Sequence, residues 1–130
     1  MQEIVDFVAK CKFYFLATVD GDAPQVRPFG TLAIINGQLM FQTANTKPVA
    51  HQIDVNPNVA ICAYDGESWV RISGQAFAQR SVEINQAMLD VYPNLKSLYS
   101  ADDGKTEAYA FTSGTAVFST FGGEPRTVEF

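Results

Sequence analysis

Apolar positions along the 130 residues change their period several times, and each change marks an element. Ile4, Val5, Phe7 and Val8 recur at spacings of three and four, which predicts a short amphipathic helix ending near Lys10. From Phe13 to Val19 the residues are mostly aromatic or β-branched, and the run stops at Asp20-Gly21-Asp22, a strand followed by a turn. Gln25 to Ile35 runs into Asn36-Gly37, and Gln38 to Thr43 follows. An Asn-Gly pair between two apolar runs predicts a hairpin, because both central positions of a type I′ turn want positive φ.

Asn45-Thr46-Lys47-Pro48 has the chemistry of a helix start, with Asn45 or Thr46 as cap and Pro48 tolerated in the first turn. This helix turns Val49, Ala50 and Ile53 inward and ends at Asn56-Pro57. Asn58 to Tyr64 and Glu67 to Gln79 form a second hairpin about Asp65-Gly66. Val82 to Tyr92 reads as a helix with Val82, Ile84, Met88, Leu89 and Tyr92 on its buried face. Pro93 breaks it, and Leu95 and Leu98 suggest a short extra turn. Ala108 to Thr112 and Thr115 to Phe121 are strands separated by Ser113-Gly114. Six or seven strands, mostly joined as hairpins, with three short helices predict one domain over residues 1–130. It is mainly β (α+β), an antiparallel barrel with Greek-key-like crossings rather than a doubly wound sheet.

Composition narrows the function classes. Hydrophobic residues make up 47% and charged residues 18%, which fits a globular chain. A formal net charge of −5 and the lack of any basic run argue against nucleic acid as a partner. No apolar run approaches the roughly 20 residues of a membrane span, and the first residues lack the pattern of a secretory signal. Cys11 and Cys62 stand far apart, outside any CxxC spacing, and are expected to be reduced, buried thiols in a cytoplasmic protein. One histidine and no cysteine pair leave no zinc site, and the phosphate loops GxGxxG and GxxxxGK[ST] are absent.

Between Ala23 and Ile53, His51 aside, the charged residues are Arg27 and Lys47, both cations in segments otherwise built for burial. A helix N-terminus carries unpaired N–H groups and about half a positive charge. With Lys47 in the first turn, the Thr43 and Thr46 hydroxyls before it and Arg27 from a strand, these groups form a phosphate cradle without a glycine loop. The other reading pairs Arg27 with a nearby acid and leaves Lys47 in solvent. His51 is read as a surface or packing residue, Arg71 as an ion-pair partner of Glu67 or Asp65, and Arg126 as a solvated tail residue.

Several runs together carry a resemblance. They are Phe15-Leu16-Ala17-Thr18-Val19-Asp20-Gly21, Pro24-Gln25-Val26-Arg27-Pro28-Phe29 and Phe41-Gln42-Thr43-Ala44-Asn45-Thr46-Lys47, then Asn56-Pro57-Asn58-Val59, Trp69-Val70-Arg71-Ile72-Ser73-Gly74 and Phe118 to Pro125. In this order they resemble the pyridoxamine 5′-phosphate oxidase-like, FMN-binding split-barrel family over nearly the whole chain. The resemblance implies that the strand containing Pro28 and Phe29 runs beside the flavin ring and that Arg27 helps hold the phosphate. It further implies cofactor contacts from Gln42 and Thr43, and a phosphate-binding helix opened by Thr46 and Lys47. True pyridoxamine phosphate oxidases usually carry Ser-Arg-Lys at that opening, and this chain keeps only the Lys. Trp69 occupies the place of a polar residue, often Gln, that approaches the flavin; here it stacks near the ring or fills a dimer interface. The ending Gly122 to Phe130 does not match the Trp- and Arg-containing segment of those oxidases, so a true pyridoxamine phosphate oxidase is not expected.

The expected function is that of an FMN-binding homodimer, an oxidoreductase acting on a small molecule, with no side chain assigned as a catalyst. Flavin chemistry resides in the cofactor, which accounts for the lack of a nucleophile or metal motif. A non-catalytic flavin carrier or sensor is the alternative, and a split barrel with haem or a deazaflavin is a third possibility.

Overall fold

A computed structural model describes residues 1–130. The first helix, α1 (Gln2–Ala9), buries Ile4 and Val8 as its three-and-four spacing requires. Strands β1 (Tyr14–Asp20) and β2 (Ala23–Phe29) form a hairpin, and β3 (Ala33–Ile35) pairs with β4 (Gln38–Ala44). At the turn between β3 and β4, Asn36 and Gly37 have φ of 52° and 74°, the left-handed pair a type I′ turn needs. Helix α2 (Pro48–Val55) turns Val49, Ala50 and Ile53 inward, and β5 (Asn58–Tyr64) and β6 (Ser68–Ala78) form the next hairpin. Helix α3 (Val82–Val91) starts at Ser81, whose hydroxyl accepts the Ile84 N–H at 3.2 Å. A 3₁₀ turn (Pro93–Ser97) follows, then β7 (Thr106–Thr120) and β8 (Arg126–Glu129).

The strands form one eight-stranded antiparallel sheet in the order β2-β1-β5-β6-β7-β4-β3, with β8 also on β7. Two long strands, β6 and β7, give the fold its split. On one edge of β7, β4 pairs with residues 106–110 and β8 with residues 115–118, so the sheet divides between them. The main core has 19 buried residues, among them Leu16, Phe41, Ile61 and Ile72, each at most 1% exposed. Each such side chain stabilises the fold by about 1.5–3 kcal/mol relative to an exposed one. A smaller cluster, with Met40, Met88 and Ala108, sits under α3.

Four expectations are corrected. The strands number eight rather than six or seven, because the 25–35 run divides into β2 and β3 and residues 126–129 form β8. Ser113-Gly114 is no turn, and β7 runs straight through it. Gly74 faces Gly114 across the ladder, and a Cβ on Gly74 would lie 2.5 Å from the Ser113 carbonyl oxygen. These glycines serve a close backbone approach beside a bulge, a use that looks like turn chemistry in one dimension. On α3, Val82 is exposed and Asn85 is buried in its place. Arg126 belongs to β8, where its guanidinium pairs with Glu3 and lies 4.7 Å from the Phe118 ring centroid.

Candidate functional site

Strand β4 is buried on both faces, and its two buried polar residues, Gln42 and Thr43, lie within that run. Between β2 and β3 the chain leaves the ladder at Gly30-Thr31-Leu32, where buried backbone needs other partners. Three hydroxyls supply them, on the link and on the facing strand β4. Thr31 Oγ1 accepts the Gln42 N–H at 2.9 Å and lies 3.3 Å from the Gln42 carbonyl oxygen, to which it donates. Tyr92 Oη does the same for Leu32, accepting its N–H at 2.8 Å and donating to its carbonyl at 2.9 Å. The Tyr14 hydroxyl donates to the Thr31 carbonyl, and burial raises its pKa well above the usual tyrosine range. The link is thereby fixed as a wall.

Against this wall lies a cavity of about 290 Å³. It brings together Pro28, Phe29, Gln42, Thr43 and Lys47 of the expected set. Its far side is the end of α3 and the 3₁₀ turn, through Tyr92, Asn94, Leu95, Leu98 and Tyr99, residues that sequence reasoning did not assign to a site. The signal for them was the Pro93 break with Leu95 and Leu98 beyond it. Lys47 is the single charged side chain in the wall, in a chain of net charge −5. Gln42 Nε2 donates to Thr106 Oγ1 at 2.7 Å and to the Thr43 carbonyl at 3.0 Å, so that amide nitrogen is held within the protein.

The start of α2 differs from expectation. Lys47 itself is the N-cap residue, Pro48 follows, and no side chain caps the first turn. Asn45 Nδ2 instead donates to the Gly104 carbonyl at 2.8 Å, and Thr46 is exposed outside the cavity wall. Pro48 has no N–H and the Ala50 N–H donates to the Lys47 carbonyl at 3.1 Å, so the Val49 N–H and the Lys47 ammonium are what this helix start leaves for an anion.

Arg27 does not line this cavity. Its side chain turns to the inner side of the sheet, donating to Thr18 Oγ1 at 2.7 Å, Gln52 Oε1 at 2.7 Å and the Leu16 carbonyl at 3.3 Å. Thr18 donates to the same Gln52 oxygen at 2.6 Å. The guanidinium is thus oriented by neutral acceptors and has no carboxylate within 4.0 Å, so the acid-paired reading of Arg27 fails. Partial burial lowers its pKa, and it remains a cation. Through Gln52 it also ties β2 to the second turn of α2.

Trp69 lies elsewhere, its ring centroid 4.9 Å from that of Phe121, beside a wider groove of about 690 Å³ between α1 and the end of β7. Arg71 forms no ion pair, and Asp65 accepts the Glu67 and Ser68 N–H groups instead, which lowers its pKa. His51 is exposed. Both cysteines are free, but Cys11 is half-buried and Cys62 exposed, against the expectation of burial. No group of histidine, cysteine or acidic side chains is spaced to hold a metal ion, and no helix is long and apolar enough to cross a membrane.

The sequence profile of the pyridoxamine 5′-phosphate oxidase family matches residues 1–119. The chain belongs to the pyridoxamine 5′-phosphate oxidase-like family. Among solved structures of this kind, a NimC/NimA family protein from Clostridium acetobutylicum is 34% identical, with a TM-score of 0.96 over 100% of this chain and 92% of that one. General stress protein 26 from Bacillus anthracis is 17% identical, with a TM-score of 0.79 over 99% and 97%. A pyridoxamine 5′-phosphate oxidase-related, FMN-binding protein from Nostoc punctiforme is 13% identical, with a TM-score of 0.67 over 99% and 95%. No curated protein matches the sequence. The last two similarities establish the family's barrel alone, and the first extends to the sequence.

Proposed function

We propose that this member of the pyridoxamine 5′-phosphate oxidase-like family binds FMN between two copies of the chain and acts as an oxidoreductase on a small molecule. The observation that carries this reading is Lys47, the single charge of the cavity wall, at the uncapped start of α2 beside the Thr43 hydroxyl. Charge-assisted bonds of this kind contribute about 1.5–3 kcal/mol each, enough for a few to hold a phosphate monoester. Arg27 adds a second cation without an acidic partner and orients α2 through Gln52. Thr46, next to Lys47, is exposed and free to turn its hydroxyl to the same phosphate. Pro28 and Phe29 offer backbone to the ring, and Gln42 and Thr43 flank it. Bound FMN supplies hydride and single-electron transfer. The protein's part is to bind, orient and exclude water, with Leu95, Leu98 and Tyr99 covering the outer side.

A second copy is supported by the outer sheet face. Phe15, Val26 and Tyr64 are 48%, 66% and 52% exposed, and the strand register puts them on one face with Pro28, Cys62 and Trp69. Pro28 also lines the cavity, so face and cavity are continuous. Trp69 shares the face but not the cavity wall of its own protomer, so it reaches a flavin from the second copy. At about 290 Å³ the single-chain cavity falls at the lower end of ligand sites, as one part of a shared site should. Two free thiols fit a reducing, cytoplasmic location.

Purification with identification of the released ligand by mass tests the reading. A colourless protein that takes up no added FMN sinks it. Lys47→Ala is expected to weaken FMN by about tenfold or more while sparing riboflavin, measured by fluorescence titration. Equal losses for both would remove Lys47 from the phosphate. No histidine or carboxylate lines the cavity, which favours a carrier or sensor as the second reading. Rapid turnover with NADH or NADPH and an acceptor separates the enzyme from it.

A further inference from the structure

A second cavity, of about 510 Å³, lies between the end of β6, the first turns of α3, the 101–104 turn and the start of β7. It shares no wall residue with the cavity at Lys47. Glu107 is its most demanding group. This carboxylate is only 9% exposed, accepts the Arg80 N–H at 2.9 Å and has no cationic partner within 4.0 Å. A carboxylate taken out of water calls for a donor or a cation to replace its hydration.

Asn85, 6% exposed, is the second such group. Its Nδ2 donates to the carbonyls of Ala101 and Thr106, both at 3.2 Å. Those two acceptors fix the amide's orientation, since the flipped form would set its oxygen against them. Asn85 Oδ1 is then a buried side-chain oxygen with no partner, in a residue that forms part of the cavity wall. Native proteins rarely leave such an atom unmatched.

The rest of the wall selects the class of ligand. Asp54 and Asp102 bring further carboxylates, against the one guanidinium of Arg80. The acids are spread too widely to converge on a metal ion. Asp54 Oδ1 accepts the Tyr109 hydroxyl at 3.0 Å, and Tyr109, Ala78 and Val82 place apolar surface in the same wall. Separated anions with hydrocarbon surface among them suit a flexible chain carrying more than one N–H-rich positive charge. We propose that this cavity binds an alkyl diamine or polyamine, one ammonium donating to the Glu107 carboxylate beside the Asn85 amide and the other directed to Asp54 or Asp102.

The probe is 1,4-diaminobutane, titrated into the ¹⁵N-labelled full chain with and without FMN and followed by NMR. Saturable shifts of the Asn85 side-chain amide and the Arg80 backbone amide are expected. Glu107→Gln, which keeps an acceptor for the Arg80 N–H, is expected to weaken binding by about tenfold or more. n-Butylammonium, with one charge, is expected to bind more weakly. Lys47→Ala leaves the diamine unaffected, so a failure of the flavin reading and a failure of this one are told apart. Asp102→Asn, on the exposed turn, gives a smaller loss and serves if the Glu107 variant does not fold. The proposal is overturned if the Asn85 signal does not move, if sodium chloride at equal ionic strength reproduces the shift, or if Glu107→Gln binds as tightly as the parent.

Discussion

Lys47 and Arg27 are both cations in a scarcely charged stretch, yet their surroundings assign them different tasks. Lys47 faces a cavity without an acid, whereas Arg27 is held by Thr18, Gln52 and the Leu16 carbonyl. Arg27→Lys keeps the charge and loses the planar fork. It is therefore expected to weaken FMN through the position of α2, with Gln52→Leu reproducing part of the loss in a fluorescence titration. Were charge alone involved, Arg27→Lys would bind like the parent. Tyr92 gives a purely structural prediction. Its hydroxyl satisfies both backbone groups of buried Leu32, so Tyr92→Phe should cost about 1–3 kcal/mol in denaturant unfolding. Tyr14 and Tyr109 govern the alkaline limit, because desolvation raises both pKa values, joined at Tyr109 by Asp54. The unfolded chain releases these protons near pH 10 while the folded one keeps them, so stability is full below that pH and falls as pH rises above it. An ultraviolet titration should show two of the five tyrosines ionising only as the protein unfolds.

At the scale of elements, the crossing of β6 and β7 is the most constrained place in the sheet. A Cβ at Gly74 would meet the Ser113 carbonyl oxygen at 2.5 Å, and one at Gly114 the Ser73 oxygen at 2.9 Å. Both obstacles are backbone, which cannot rotate aside. Gly74→Ala is thus expected to lower the melting temperature by several degrees, at a cost of about 1–3 kcal/mol from overpacking. Gly104→Ala, with open space around its Cβ, tests only the positive φ of 72° and should cost less. The elements themselves were largely legible. Asn36-Gly37, Asp65-Gly66 and Pro93 marked their boundaries, and the spacing of Ile4 and Val8 marked α1. Strand β8 was not, because its alternation is limited to Val128 and Phe130, too short a run to mark a strand before its pairing with β7 is known.

For the whole molecule, the outer face of β1, β2 and β5 is the feature that one copy leaves unexplained. Phe15, Val26 and Tyr64 expose hydrocarbon on a surface continuous with the Lys47 cavity. Sedimentation of the purified protein is expected to give twice the chain mass, and Phe15→Glu to give monomers that also lose FMN. Monomers that keep FMN at full affinity would separate the flavin from the interface.

What the sequence determined by itself is what depends on neighbours along the chain. Turn chemistry, the helical and strand periods and the scarcity of charge around Lys47 are local, and they sufficed for the fold class and for one wall of the cavity. Tertiary structure alone decided which groups meet. It turned Arg27 toward Gln52, in the second turn of α2 rather than at its start, and brought the 3₁₀ turn across the cavity. It also set Glu107 and Asn85 in a wall without a cation bound to either. The reason is geometric. A strand alternates its side chains between two faces, but which face meets a helix, a cavity or another sheet depends on partners remote in sequence. The cavity wall at Lys47 was legible because a helix start and its lysine are adjacent residues; the opposite wall was not, because some fifty residues separate Lys47 from Tyr99.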